Sequence, residues 1–319
     1  MLNEYFTIEK STLKIDYKFN DKIKNLPKDI KKIIFTENIF KKEFSQFNKS
    51  VDNLPVDLTH LTFGNNFDKS VNKLPANLTH LTFGTYFDNS VNHLPANLTH
   101  LIFGFEFNKS VDNLPANLRQ LTFGYEFNKS VDELPIKLTH LTFGENFNKS
   151  VDKLPVNLTH LTFGYFFDKS INKLPVNLEN LTIKSNYFDK KIKLTQKLSV
   201  LTINENSLSK ALEEECFTKK IKLYLWFKSK SIIKNNIPLN LENLFIDFMI
   251  DDINELKDIV ENNLEYKKVI NDKYKEEIIN NIPPNIKEIK INNIYKKDLI
   301  HKIPFNCKII DCKTGKEIL

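Results

Sequence analysis

The sequence predicts a repeat solenoid: an arc of parallel β-strands built from units of about 20 residues, with an extended or turn-like back and few helices. Three observations carry this. One 20-residue phrase is written six times without a gap between Leu58 and Asn177, as in LTHLTFGTYFDNSVNHLPAN at 78–97. Within each copy the apolar residues alternate as in a strand with one buried face, Leu81 and Phe83 pointing one way, His80 and Thr82 the other. Six of the seven glycines fall at one repeat position: Gly64, Gly84, Gly104, Gly124, Gly144 and Gly164. A unit this short cannot bury its own apolar face, so it must stack on its neighbours.

Each landmark has an expected role. Leu78, Leu81, Phe83, Phe87, Val91 and Leu94 are the inward side chains. Gly84 is expected to end the strand by permitting a bend that a Cβ would resist. Asp88, or Asn at the equivalent positions, is expected to tie the backbone of its own turn. Pro95 has no N–H to donate, so the return is extended or turn-like rather than helical.

The phase extends outward in both directions. Residues 1–57 read as an N-terminal cap and degenerate repeats with a small insertion. Leu13, Ile15, Phe19, Ile23 and Leu26-Pro27 occupy array positions, and a unit opening at Ile30 holds about eight extra residues around TENIFKKEF before rejoining at Phe47. Residues 58–177 are the six regular repeats, and 178–250 continue as degenerate ones. In 251–281, Ile253, Leu256 and Val260 have helical spacing behind Asp251, as in a helical insertion or a distorted repeat. Residues 282–319 are degenerate repeats and a C-terminal cap, with Cys307, Ile310 and Cys312 expected at the apolar positions of the terminal strand.

The skeleton Leu-Pro-x-x-Leu-x-x-Leu-x-Phe resembles a leucine-rich repeat of the short bacterial kind. The further signature Gly-x-x-Phe-Asn/Asp-x-Ser-Val followed by Leu-Pro resembles the FNIP repeat of social amoebae and amoeba-infecting giant viruses. That signature runs from Phe47 to Leu194, with Phe-Asn at Phe107-Asn108, Phe127-Asn128 and Phe147-Asn148. Leu-Pro replaces the family's Ile-Pro, which stands only at Ile237-Pro238, Ile282-Pro283 and Ile303-Pro304. The resemblance implies a protein-interaction scaffold, often joined in that family to an F-box, and no chemistry. Leu26 to Phe35 superficially resembles the start of an F-box. The same letters fit the solenoid phase, however, and repeat residues resume at Phe47, where that module would still need helical sequence.

Charge and cysteine usage narrow the function further. The net charge is +6, yet residues 58–177 carry ten basic and ten acidic side chains, so the regular array is neutral. A protein that tracks phosphates concentrates its basic residues on one face, which argues against nucleic acid. Cys216, Cys307 and Cys312 form no metal-type pair and read as reduced thiols of a cytoplasmic protein. Cys216 follows three glutamates, which weaken a thiolate. No apolar run reaches spanning length and MLNEYFTIEK lacks a basic region followed by an apolar run, so neither a membrane partner nor a secretory leader is expected. No phosphate loop, triad or zinc motif is present, so neither an enzyme nor a cofactor is expected.

The candidate functional residues lie on the outward side of the strands. His60, His80, His100, His140 and His160 share one strand position and should form a column broken by Gln120. A metal ladder is one reading of it, an open polar face copied with the repeat the other. Lys49, Lys69, Lys109, Lys129, Lys149 and Lys169 form a second column, expected to be a solvated face partly neutralised by the aspartate three residues on. The residues just after each glycine vary while the frame does not: Phe105-Glu106, Tyr125-Glu126 and Tyr165-Phe166 put aromatics beside acids at the strand exit. Arg119 and Gln120 replace the Thr-His phrase in one unit, which therefore departs furthest from the template. The expectation is a monomeric, non-catalytic scaffold that binds an unidentified protein along this face and rim. An adaptor in ubiquitin transfer and a nucleic-acid binder are the alternatives.

Overall fold

The computed structural model describes residues 4–185, 187–192, 195–204, 222–228, 243–249, 288–291, 307–311 and 314–317. The helix expected in 251–281, Cys216 and Cys312 lie outside them. The chain divides into two compact units, Met1–Leu178 and Glu179–Leu319.

In the first unit the chain enters through an antiparallel hairpin of β1 (Phe6–Glu9) and β2 (Thr12–Ile15). From β2 onward every strand pairs in parallel with the next in chain order: β3 (Lys32–Phe35), β4 (His60–Thr62), β5 (His80–Thr82), β6 (His100–Ile102), β7 (Gln120–Thr122), β8 (His140–Thr142) and β9 (His160–Phe163). The register is residue for residue, Leu61 on Leu81 and Leu81 on Leu101. Lys32–Phe35, inside the stretch that resembles an F-box, is a strand of this sheet. Among the described residues, helix is confined to a 3-10 turn at Ile39–Lys41.

In the second unit β10 (Asn180–Ile183), β11 (Val200–Asn204), β12 (Lys222–Lys228), β13 (Asn243–Met249), β14 (Glu288–Ile291) and β15 (Lys308–Asp311) also pair in parallel and in order. The phase expected for the last strand is corrected by one residue. Ile309, not Ile310, lies beside the buried Ile289 and is itself fully buried. That register sets Lys308 against Glu288, an opposite-charge pair that a one-residue slip would lose.

The core is the predicted one. Leu78, Leu81, Phe83, Phe87, Val91 and Leu94 are each 9% exposed or less, and the same six positions recur from turn to turn. The two phenylalanines of a turn stack face to face, Phe83 on Phe87 at 3.7 Å between centroids. Each also stacks on its counterpart in the next turn, Phe83–Phe103 at 5.6 Å and Phe87–Phe107 at 6.1 Å. The back closes with a turn in which the Leu98 N–H donates to the Pro95 carbonyl at 3.1 Å.

Two local roles differ from expectation. The repeat glycines are not bend residues, because Gly315 alone among the described glycines has a positive φ. A Cβ on Gly104 would instead fall far inside 3.0 Å of the Gly84 carbonyl oxygen, and a Cβ on Gly124 would do the same at Gly104. Glycine is required because successive backbones nearly touch. The Asn/Asp position likewise serves the next turn rather than its own. Asp88 Oδ1 accepts the Asn108 N–H at 2.8 Å, Asn108 Oδ1 the Asn128 N–H at 3.0 Å, and Asn128 Oδ1 the Asn148 N–H at 3.0 Å. The local turn is closed by the serine, as where the Asp132 N–H donates to Ser130 Oγ at 3.3 Å. A second ladder runs along the back, where the amides of Asn97 and Asn117 donate to the Ala76 and Ala96 carbonyls, each at 3.0 Å.

These packing roles predict an order of stability losses, read from denaturant unfolding. Phe123→Ala removes a buried ring and should cost about 3–5 kcal/mol. Gly124→Ala adds one methyl group yet should still cost about 1–3 kcal/mol, because backbone rather than a side-chain tip must move. Phe105→Ala, at a residue 46% exposed, should cost under about 1 kcal/mol. Equal losses at Phe123 and Phe105 would contradict the inward and outward assignment.

Candidate functional site

The outward strand position brings the histidines into a stack. His60 and His80 lie 4.1 Å apart between ring centroids, as do His80 and His100, with the planes within 11° of parallel. His140 and His160 form a second stack at 4.1 Å. Gln120 separates the two, paired with His100 on one side and His140 on the other.

The preceding threonine decides how these rings are protonated. Thr79 Oγ1 donates to the Thr59 carbonyl at 3.0 Å and stands 2.9 Å from His80 Nδ1. The hydroxyl has one proton and directs it at the carbonyl, so Nδ1–H is the donor to Oγ1. Nε2 is then left as an outward acceptor. The same chain recurs at His60, His100, His140 and His160. Burial pushes His80 down to about 4, with further lowering from His100, His60 and Lys32. Burial likewise lowers His60, His100 and His140. These four imidazoles are therefore neutral at neutral pH, and each presents an uncharged acceptor. Among the described residues no three His, Cys, Asp or Glu side chains group as a metal site. Cys307 is buried, and burial raises its thiol to about 11, which removes it as a nucleophile.

Beyond the strands the varied residues form a rim. Phe105 and Tyr125 stack at 4.6 Å and 8°, Phe105 being exposed and Tyr125 half-buried. Glu106 is exposed. Glu126 accepts the Asn146 side-chain amide at 2.7 Å, which fixes its carboxylate at the rim. Tyr165 packs edge-on against Phe166 at 5.0 Å, and its N–H donates to Glu145 at 2.6 Å. Arg119 and Gln120 are both exposed, while the Arg119 backbone keeps its place in the ladder by accepting the Thr139 N–H at 2.9 Å.

One exposed residue was missed in the sequence. Ile102 stands in the outward threonine column, between Thr82 and Thr122, and is 44% exposed. Its signal was a single departure from LTHLTFG. One member of the lysine column, Lys109, reaches back to Asp88 of the preceding turn rather than to Asp112 three residues on. Lys73 and Lys153, four residues further along the unit, likewise pair with Asp52 and Asp132 of the turn before. These pairs are largely open to solvent and contribute little.

The histidine stack predicts a pH dependence. Unfolded histidine binds a proton near pH 6.5 and the folded stack only at lower pH, so the unfolded state holds more protons in between. The stability this represents is complete above pH 6.5 and is lost as pH falls towards about 4. Urea midpoints of the wild type should fall more steeply over this window than those of a His80→Gln, His100→Gln variant. An NMR titration placing His80 at or above 6.5 would contradict the account.

Comparison with known proteins agrees with this geometry. Residues 47–166 match the FNIP repeat in five overlapping stretches, 47–86, 70–106, 90–126, 107–145 and 127–166. The crystal structure of CroV588, a circular leucine-rich-repeat protein of a giant virus, is similar with a TM-score of 0.58 and 27% identity, over 97% of this chain and 51% of that one. This chain thus spans about half the length of that protein. YopM from Yersinia enterocolitica WA-314 is similar at a TM-score of 0.37 and 15% identity, over 90% of this chain and 60% of that one, a level that carries no argument. No curated protein matches the chain.

Proposed function

From an array whose residues 47–166 are FNIP repeats, we propose a non-catalytic scaffold that binds a protein along the outward strand face and the strand-exit rim. The observation that carries this reading is the Phe105–Tyr125 stack at the strand exit, with Phe105 exposed and Tyr125 half-buried, outside a core that repeats faithfully beneath it. Large aromatic side chains give much contact area for little lost conformational freedom, which suits them as anchors. Ile102 adds apolar area from the same repeat as Phe105, and Arg119 and Gln120 give the next repeat polar contacts of its own. Glu106 and Glu126 form an acidic edge that tunes association rate and salt dependence. The neutral His80, His100 and His140 offer acceptors on either side of Gln120, and His160 and Tyr165 extend the face and rim.

Catalysis finds less support in the same geometry. Each threonine hydroxyl is committed to a carbonyl and receives a proton from its histidine, the reverse of an activated nucleophile.

The test is a pull-down with mass spectrometry alongside stability measurements. Phe105→Ala with Tyr125→Ala should leave circular dichroism and thermal unfolding nearly unchanged while captured proteins disappear. Replacing Lys69, Lys109, Lys129 and Lys149 with Gln should leave them in place. The opposite pattern would put the binding surface on the other face.

A further inference from the structure

The eight-residue interruption between β3 and Phe47 is a rigid projection rather than slack chain. Asn38 and Glu43 exchange both backbone hydrogen bonds, at 2.8 and 3.0 Å, and so close a small antiparallel loop. Asn38 Oδ1 accepts the Lys41 N–H at 3.2 Å, and Lys42 takes a left-handed φ of 54° to complete the turn. The loop is pinned to the array by Glu37, whose two oxygens accept the Ser45 N–H at 2.5 Å and the Asn65 N–H at 2.7 Å. The Gln46 N–H also donates to the Tyr17 carbonyl at 2.7 Å.

At the apex of this held loop Phe40 is 101% exposed, the most exposed large apolar side chain among the described residues. Phe44, on the returning limb, is 48% exposed. A rigid frame that holds one ring entirely in water gains nothing for folding, and the ring is free to transfer into an apolar phase. The charges around it are sorted by sign. Lys41 and Lys42 follow the ring and are both exposed. The loop's two acids sit at its base and are occupied, Glu37 by two backbone N–H groups and Glu43 by the Asn38 side-chain amide at 3.4 Å. Lys18 lies nearby, its ammonium 5.5 Å from the Tyr17 ring centroid and within the field of Glu43.

We propose that the Asn38–Glu43 loop is a peripheral docking finger for an anionic lipid surface, inserting Phe40 at the interface while Lys41 and Lys42 meet the headgroups. A convex apolar tip flanked by cations suits a fluid, negatively charged interface, where no shaped pocket is needed. One ring and two lysines give a weak, reversible contact, because even a single acyl chain binds a bilayer only marginally. The finger therefore adds to other contacts rather than anchoring the chain alone. No helix among the described residues is long and apolar enough to cross a membrane.

The test is co-sedimentation of the full chain with sucrose-loaded vesicles of phosphatidylcholine alone or with roughly one-third phosphatidylserine, in low and moderate salt. Binding should require phosphatidylserine and weaken with salt. Phe40→Ser should reduce it roughly tenfold, and Lys41→Gln with Lys42→Gln by more than about tenfold. Melting temperature should not change, and Lys129→Gln with Lys149→Gln should bind as the wild type. Absence of binding, equal binding to neutral vesicles, or full binding by Phe40→Ser would each overturn the proposal. So would loss of a protein partner in Phe40→Ser with vesicle binding intact, which would assign the finger to a protein pocket.

Discussion

Successive turns of this array approach so closely that one glycine's carbonyl oxygen fills the space where the next glycine's side chain would begin. Everything else in the regular region is arranged around that contact. The spacing lets each strand pair with the next in unbroken register, brings the phenylalanines of adjacent turns into stacking distance, and sets the imidazoles 4.1 Å apart. A side chain at Gly104 or Gly124 would tilt one turn on the next, and the aromatic columns would lose their faces together.

Three side-chain ladders hold that spacing from different sides. Asn and Asp oxygens take the next turn's N–H beyond the strand, asparagine amides reach the previous turn's carbonyls on the back, and threonine hydroxyls do so at the strand entry. Each bond is worth about 1 kcal/mol. Repetition matters more than strength, because most regular turns are tied to a neighbour at three points, the exceptions falling where Arg119 and Lys137 replace the threonine and the asparagine. This explains why residues at the strand exit vary without loss of frame. Phe105, Tyr125 and Ile102 ride on a backbone whose position is already fixed by others.

Much of this was legible in the sequence because a repeat reports its own geometry. Leu81 and Phe83 alternating with His80 and Thr82 specify a half-buried strand, and identity at a spacing of 20 places each residue on its equivalent. What could not be read was which neighbour a polar atom would serve. Asn108 looks the same whether it closes its own turn or the next, and Gly104 looks the same as a bend or a contact. Sequence at a single repeat is blind to the turn above it. The phase of the last strand was lost for a related reason: Ile309 and Ile310 are chemically alike, and only pairing with Glu288 and Ile289 separates them. The exposed side was the least legible. Arg119 and Gln120 stand out as departures because two adjacent residues change, whereas Ile102 is a single change whose exposure depends on its place among the outward threonines. Nothing in TENIFKKEF announced that Phe40 would be held clear of every other residue.

The two asparagine ladders also differ in how they age. In the rungs beyond the strand only the oxygen is used, and the position already alternates between Asn108, Asn128 and Asn148 and Asp68 and Asp88. Hydrolysis of an amide there to a carboxylate leaves the acceptor in place and adds one charge near solvent. On the back, Asn97, Asn117 and Asn157 use the nitrogen instead, donating to a carbonyl of the turn before. The same reaction there deletes a donor and sets a carboxylate against a carbonyl oxygen. Spontaneous deamidation would thus leave one ladder intact and loosen the other, so an old molecule would come apart first along its back.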